Sequence, residues 1–362
     1  MQEGEEMCIR RKLGCVIIVF GLVFVAGCGT VEPTATPVPP TEIPPPQTTA
    51  AVATPTPTKK PVPMATPTPS EPTASSEISV NGSGGVIAFY SERDGNAEIY
   101  TMNPDGSDQR RLTFNQFDDI CPVWSPDASQ IAFISDREDP QPGECAPNCF
   151  FQIYVINADG SDEHKLAEIE LTTYHPDWHP TGAKLSFDTG SSLQRDIYVV
   201  YADGSGQQLL IEEGFWADWS PDGTQIAFAS NRDGNVEIYV ADADGSNQRR
   251  LTENDRFDFF PAWASDGRRI AFATVEQEQI YIMDADGSNE RQLTAQALSE
   301  NPAWSPDGTE IVFQSNRDGN FEIYAVNVED ALQGRAGPRP RRLTNTRAGD
   351  FWPSWGPVVT SE

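Results

Sequence analysis

The chain has 362 residues, with 25 Lys+Arg against 54 Asp+Glu, a formal charge of −29, and only 3 histidines. Such an acidic body repels phosphate backbones, which excludes sequence-independent nucleic-acid binding as a main activity. So few imidazoles also leave little scope for histidine-built metal or acid–base chemistry.

In chain order, Arg10, Arg11 and Lys12 precede the apolar run Leu13–Val25, and Cys28 follows Ala26-Gly27. A basic stretch, about a dozen apolar residues and small residues at a cut site describe an export signal. A bilayer span needs roughly 20 apolar residues, so the run is too short for a permanent helix. Val25-Ala26-Gly27-Cys28 resembles the lipobox of bacterial lipoproteins. The resemblance implies that residues 1–27 are removed, and that Cys28 is diacylated and becomes the mature N-terminus. The alternative is ordinary secretion with an incidental cysteine.

Residues 28–78 are dominated by Thr, Pro and Ala, and 14 of the 30 prolines fall between Pro33 and Pro72. Such a segment cannot bury enough apolar area to offset the entropy of ordering, so it reads as an extended, solvated tether. At ~3.1 Å per residue, about fifty residues reach roughly 150 Å at most. About 284 residues remain for folding, enough for one large all-β domain or two ordinary ones.

The remainder repeats. Trp124, Trp178, Trp219, Trp263, Trp304 and Trp355 recur along it, and five of them are followed by an apolar trio such as Ile131-Ala132-Phe133 or Ile226-Ala227-Phe228. An Ile-Tyr or Ile-Tyr-like pair comes next (Ile99, Ile153, Ile197, Ile238, Ile280, Ile323), then Asp-Gly-Ser, then a closing Leu, as at Leu112 and Leu251. Ser-Pro-Asp-Gly after Trp219 and Trp304 is turn chemistry, because Pro presets φ, Asp caps its own backbone and Gly takes φ > 0. Arg-Asp-Gly-Asn at Arg93, Arg232 and Arg317 marks a second turn, and Asp-Gly-Ser a third.

Between the turns lie short β-branched and aromatic runs, giving four antiparallel strands per unit. One such sheet cannot bury both of its faces; six packed face to face around an axis can. The expected fold is an all-β, six-bladed β-propeller over residues 79–362. The first unit opens at Val86-Ile87-Ala88-Phe89 without a Trp strand, and the chain supplies a spare one at Phe351-Trp352-Pro353-Ser354-Trp355. That strand is predicted to complete blade one.

The Trp-Ser-Pro-Asp-Gly…Ile-Ala-Phe pattern resembles the TolB-type propeller repeat over about residues 84–358. This repeat is shared by periplasmic TolB, by propellers fused to prolyl-oligopeptidase-like peptidases and by oligogalacturonate lyases. The resemblance implies fold far more than function, because the matching residues are turn and core positions. There are departures from each relative. A Thr/Pro tether stands where TolB carries an α/β domain used in its Tol partnership. No Gly-x-Ser-x-Gly elbow with downstream Asp and His occurs, as the peptidases require. Three histidines do not readily assemble a lyase-type metal site.

Strand alternation places the loops entering each Trp strand on one face, around the mouth of the central channel. The positions three and four residues before each Trp read Ile120-Cys121, Tyr174-His175, Phe215-Trp216, Phe259-Phe260, Glu300-Asn301 and Phe351-Trp352. Phe117, Asp119, Asp258 and Asp350 lie among them. Two readings stay open. These aromatics pack between blades, or they form an aromatic and acidic mouth that stacks on a sugar, peptide or cationic group.

His175 and His179 straddle Trp178, but four residues of strand span about 13 Å, so the pair is read as structural. Asp-Gly turns at this frequency are hairpin chemistry, and no cofactor or metal is expected. Cys121, Cys145 and Cys149 share one face, and one disulfide among them is expected in an oxidising compartment, Cys145–Cys149 being the most local. The segment Glu329–Arg342, with Arg335, Arg339, Arg341 and Arg342, reads as a solvated hairpin extension. The functional expectation is a monomeric, lipid-anchored extracytoplasmic module that binds an envelope protein, peptide or cell-wall glycan without chemistry. The alternative is a polysaccharide lyase or hydrolase using Asp119, Asp258 or Glu300, whose carboxylates would need to stand about 5–10 Å apart for glycoside hydrolysis.

Overall fold

The computed structural model describes residues 84–140, 149–191, 194–275, 278–295, 297–333 and 340–358. The signal segment, Cys28, the tether and Cys145 lie outside the described residues. Six four-stranded antiparallel sheets form the blades of a six-bladed β-propeller. Blade 1 has the order Asp350–Trp355, Ile87–Ser91, Glu98–Met102, Arg110–Arg111, so the C-terminal strand is its innermost. The pairing runs from Ile87 opposite Trp355 to Ser91 opposite Asp350. Gly356 N–H to Val86 O (2.8 Å) and Glu92 N–H to Gly349 O (3.1 Å) extend the seam at its two ends.

Each second strand is the buried heart of its blade. Ile131-Ala132-Phe133, Ile226-Ala227-Phe228 and Ile270-Ala271-Phe272 have no exposed surface, because neighbouring blades cover both faces. The Phe of each trio meets the Tyr of the third strand across the sheet in every blade, from Phe228–Tyr239 at 5.6 Å to Phe133–Tyr154 and Phe313–Tyr324 at 6.0 Å. Close approach between blades is bought with glycine: a Cβ on Gly204 (φ +81°) would stand 2.1 Å from the Leu166 carbonyl of the preceding blade.

The Arg-Asp-Gly-Asn turns do more than reverse the chain. Arg93 and Arg317 lie over Tyr100 and Tyr324, at 4.5 and 4.7 Å. The turn aspartates Asp94 and Asp318 accept from the same tyrosine hydroxyls. The turn asparagine reaches the next blade: Asn235 Nδ2 donates to the carbonyls of Asn254 (2.9 Å) and Arg256 (2.7 Å), and Asn320 Nδ2 to Ala348 O (2.6 Å). The loops that enter each innermost strand are therefore held by the blade before them.

Where a hairpin extension was expected after residue 328, the chain forms a short helix, Val328–Leu332, capped by the Asn327 side chain accepting from Asp330 N–H at 3.0 Å. Val328 is wholly buried and anchors it. Residues 334–339, including Arg335 and Arg339, lie outside the described residues. Among the described residues, no helix is long and apolar enough to cross a membrane.

Closure by the last strand yields a test. Deleting residues 350–362 strips blade 1 of its innermost strand, and the melting midpoint of the shortened protein should fall by ~10 °C or more. A circular-dichroism melt that coincides with that of the full chain would show the ring to be held shut by something else.

Candidate functional site

The innermost strands carry one irregularity in common. In Asp119–Trp124, Ile120 pairs with Ile134 and Val123 with Ala132, so Cys121 and Pro122 together oppose the single residue Phe133. This is a β-bulge, and the register shifts at the equivalent place in every blade. The first bulge residue is Cys121, His175, Trp216, Phe260, Asn301 or Trp352, and each has φ between 46° and 54°. Residues other than glycine pay roughly 1–2 kcal/mol for that left-handed conformation. Pro122, Pro176, Pro261, Pro302 and Pro353 follow, with Ala217 in the fourth blade; a proline inside a strand is tolerated where no ladder donor is needed.

The bulge re-aims side chains. Five of its first residues, His175, Trp216, Phe260, Asn301 and Trp352, line a cavity of about 130 Å³ on the ring axis. Four of them close a circuit of rings: His175–Trp216 at 5.6 Å, Trp216–Phe260 at 4.4 Å, Phe260–Trp352 at 5.3 Å and Trp352–His175 at 5.0 Å. These rings come from blades 3, 4, 5 and 1, so they meet across the channel. Trp216 is 7% exposed, whereas Phe260 and Trp352 are half-buried.

The residues one place earlier turn away. Phe215, Phe259, Glu300 and Phe351 are buried outside the cavity lining, and Phe351 stacks on Tyr90 at 5.1 Å. Tyr174 is half-buried beneath Arg195, at 4.0 Å. Phe117 sits in the loop before Asp119, its carbonyl accepting from Asn96. Half of the expected mouth is thus wall.

The expected mouth carboxylates are also buried against neighbouring side chains. Asp119 is 0% exposed and pairs with Arg137 at 2.9 Å, while Asn115 Nδ2 donates to it at 2.6 Å. Asp350 pairs with Arg93 at 3.0 Å. Burial pushes Asp258 up to about 7 despite Asn254 and Arg256, and pushes Glu300 up to about 7 despite a 3.2 Å bond from Gln314.

His175 belongs to a buried network. The Trp216 indole N–H can only donate, so His175 Nε2 accepts from it at 2.9 Å and Nδ1–H donates to Asp188 at 2.9 Å. Arg195 donates to the other Asp188 oxygen at 2.8 Å. Against its burial, Asp188 is held below the usual carboxylate range by His175 and Arg195. His179 points elsewhere, bonding Thr181 and the Gly223 carbonyl. Cys149 is half-buried, and its pairing with Cys145 lies outside the described residues.

Two acids that sequence reasoning passed over line the cavity: Asp177 and Asp218, each directly before a repeat Trp. Asp177 Oδ2 accepts from Trp219 N–H at 3.0 Å, and Asp218 Oδ2 from Trp263 N–H at 2.6 Å, stitching blade 3 to 4 and 4 to 5. Burial pushes Asp177 up to about 7; burial, then the charge of Asp177, raises Asp218 well above its ordinary value. The signal for them was present. Other repeats place Val123, Ala262, Ala303 and Ser354 at that position, so acids in two successive repeats stand out once the repeats are aligned.

Comparison with known proteins agrees with this architecture. A family model described as the TolB beta propeller domain matches residues 261–339. That stretch covers the end of blade 5's innermost strand and runs into blade 6, and there the chain is similar to the TolB propeller. The crystal structure of TolB from Acinetobacter baumannii has a TM-score of 0.64 and 20% identity, over 76% of this chain and 68% of that one, and shows the shared fold. A protein TolB homolog of Chlorobium luteolum is 31% identical over 34% of this chain and 36% of its own length. An uncharacterized peptidase of Bacillus subtilis, YuxL, is 32% identical over 21% of this chain and 12% of its own length. The chain thus spans about an eighth and about a third of these two curated relatives.

The raised carboxylates set the sign of the propeller's pH dependence. Groups whose folded pKa exceeds the unfolded value bind more protons in the native state, so stability falls as pH rises through that interval. With unfolded values near 4 and Asp177, Asp258 and Glu300 at about 7, urea midpoints should drop between about pH 5 and pH 8. The Asp218→Asn variant should show a shallower drop. An unchanged slope would mean that the channel carboxylates titrate normally.

Proposed function

We propose that the protein is a lipid-anchored extracytoplasmic binding module whose propeller mouth engages an envelope protein, peptide or cell-wall glycan. The observation that carries this reading is the set of strained bulges. Six non-glycine residues hold left-handed backbone at one level of the ring, and four of them present rings to the axis. Backbone strain of this kind persists where surrounding structure over-determines it, and it concentrates at ligand clamps. Phe260 and Trp352, half-buried at that level, offer flat apolar faces on which a sugar ring or a peptide side chain stacks.

The anchor and the compartment rest on the lipobox resemblance of Val25-Ala26-Gly27-Cys28, and the tether supplies reach from the membrane. The TolB-like fold supports a binding role in general. The acidic body favours ligands that carry positive charge. Asp119 and Asp258, the carboxylates a polysaccharide-active enzyme would draw on, are occupied by Arg137, Asn115, Asn254 and Arg256, and Glu300 by Gln314.

Titration of intrinsic tryptophan fluorescence with solubilised cell-wall fragments and with purified envelope proteins tests the proposal. A ligand should quench or shift the emission saturably, and Trp352→Ala should weaken it by about tenfold, the loss of ~1.4 kcal/mol of stacking. Cleavage of the same polysaccharides above the buffer rate would replace the reading with the enzymatic one. Tight binding that ignores Trp352 would move the site off the mouth.

A further inference from the structure

The outer rim of the ring follows a charge rule that blade 3 breaks. In blades 1, 4 and 6 the outermost strand is an arginine pair, Arg110-Arg111, Arg249-Arg250 and Arg341-Arg342. The second arginine pairs with a wholly buried acid of the third strand: Arg111 with Glu98, Arg250 with Glu237 and Arg342 with Glu322. The first reaches the next blade, where Arg110 donates to Asp159 O at 2.7 Å, Arg249 to Asp286 O at 3.1 Å and Arg341 to Pro104 O at 2.9 Å. Blade 5 is neutral at both paired positions, Gln279 and Gln292. Blade 2 has Gln152 with Lys165, which turns to Glu138 and Glu168. Blade 3 keeps the acid, Asp196, but sets Gln208-Leu209 where the bases belong, with Leu209 opposite Tyr198. Asp196 is half-buried, its Oδ1 accepts from Glu213 N–H at 2.8 Å, and among the described residues no lysine or arginine pairs with it. Bases of the same and the next blade are engaged elsewhere: Arg195 with Asp188 at 2.8 Å, Lys184 over the Trp219 ring at 4.6 Å, and Arg232 with the Glu212 carbonyl at 2.7 Å.

The other face of the same hairpin departs as well. Tyr201 stands where the other blades have Asn103, Asn157, Asp242, Asp284 and Asn327. Gly206 stands where Asp108, Asp162, Asn247 and Asn289 hold left-handed backbone. The two changes belong together, because a Cβ on Gly206 would lie 2.3 Å from the Tyr201 ring. The ring therefore rests along the start of the outermost strand, 53% exposed, and Leu209 is 44% exposed. Strand alternation puts Asp196, Tyr198 and Leu209 on one face of the sheet and Tyr201 on the other. Gly206–Leu209 is exposed throughout; beyond it Gly245 of blade 4 covers the Leu210 carbonyl and Ile211 is buried. An outermost strand directs backbone N–H and C=O groups away from its sheet, and charged side chains are the usual means of keeping other chains off it. Blade 3 lacks that protection.

We infer that the outer edge of blade 3 docks an extended, basic segment of a partner protein, which adds along Gly206–Leu209 and sets an arginine or lysine against Asp196. Main-chain hydrogen bonds to an open edge supply affinity in such strand addition, and alternate side chains supply specificity. Alternation along the added strand calls for basic residues on the Leu209 face and apolar ones on the Tyr201 face. The incoming base would take the place that Arg111, Arg250 and Arg342 fill in their own blades. The surroundings have the matching sign, since Tyr201–Glu213 carries Asp203, Glu212 and Glu213 and no lysine or arginine. A second copy of this chain would bring the same acids to the same edge, so charge favours a basic partner over self-association. The site lies on the rim, away from the axis, and stands whatever the mouth binds.

A dansyl-labelled Val-Arg-Val-Arg-Val amide titrated with the full chain, read by fluorescence anisotropy at about 0.1 M salt, tests the assignment against its Val-Gln-Val-Gln-Val counterpart. The arginine peptide should bind saturably and more tightly than the glutamine one. Leu209→Arg, which gives blade 3 the base that blades 1, 4 and 6 carry, should weaken it by about tenfold or more. A melting midpoint no lower than that of the parent would show that this loss is not unfolding. Gln292→Arg adds the same charge at the same place on blade 5 and should leave the affinity unchanged, which separates the site from general attraction to an acidic body. Equal binding of the two peptides overturns the assignment, as does equal loss in Leu209→Arg and Gln292→Arg. Binding that survives Leu209→Arg but fails in Trp352→Ala would place the peptide at the mouth instead. Sedimentation of a dimer that Leu209→Arg dissociates would give the edge to a second copy and overturn the partner reading.

Discussion

Every blade is a four-stranded sheet with two apolar faces, and neither face can be left in water. Each sheet finds cover only in its neighbours, so the sixth must also meet the first, and the chain closes the ring with its own last strand. Asp350–Trp355 lies in blade 1 while the loop before it is held by Asn320 of blade 6. Closure is thus both a hydrogen-bonded seam and a continuous stack of apolar faces. Around the axis the stack is reinforced by side chains that accept the next blade's Trp amide: Asp177 for Trp219, Asp218 for Trp263, and Ser354 for Trp124 at 3.4 Å.

That closure also creates the functional problem. Six innermost strands crowd one axis, and a regular strand would alternate its side chains between the two neighbouring blades, presenting little to the channel. The bulge resolves this by inserting one residue, which turns His175, Trp216, Phe260, Asn301 and Trp352 inward at the cost of left-handed backbone. The proline after most of them removes an amide that the bulge would leave unpaired. Strain and proline together mark the level of the ring at which the fold departs from its own repeat.

Much of the polar pattern of the sequence serves the ring itself. The turn arginines and aspartates clamp the tyrosines, Glu98, Glu237 and Glu322 take Arg111, Arg250 and Arg342 at 2.7, 2.7 and 2.8 Å, and Asp119 and Asp350 take Arg137 and Arg93. The carboxylates near the mouth are therefore mostly neutralised where they stand. Asp177, Asp218 and Glu300 differ, because Ser186, Ala227 and Gln314 stand opposite them and bring no base alongside.

The sequence by itself determined the number of blades, the strand order and the closing strand. Those depend on periodic spacing: a Trp, an apolar trio, an Ile-Tyr pair and fixed turn residues recur whatever the tertiary details. It also pointed to the positions three and four residues before each Trp. Tertiary structure alone decided which of two adjacent residues faces inward, since a one-residue bulge inverts strand alternation and sends Phe215, Phe259 and Phe351 into the wall while Trp216, Phe260 and Trp352 line the axis. It likewise decided which acids are spent on arginines, because those partners lie in other strands or other blades, and a charge pair is a matter of distance in space that spacing along the chain does not encode.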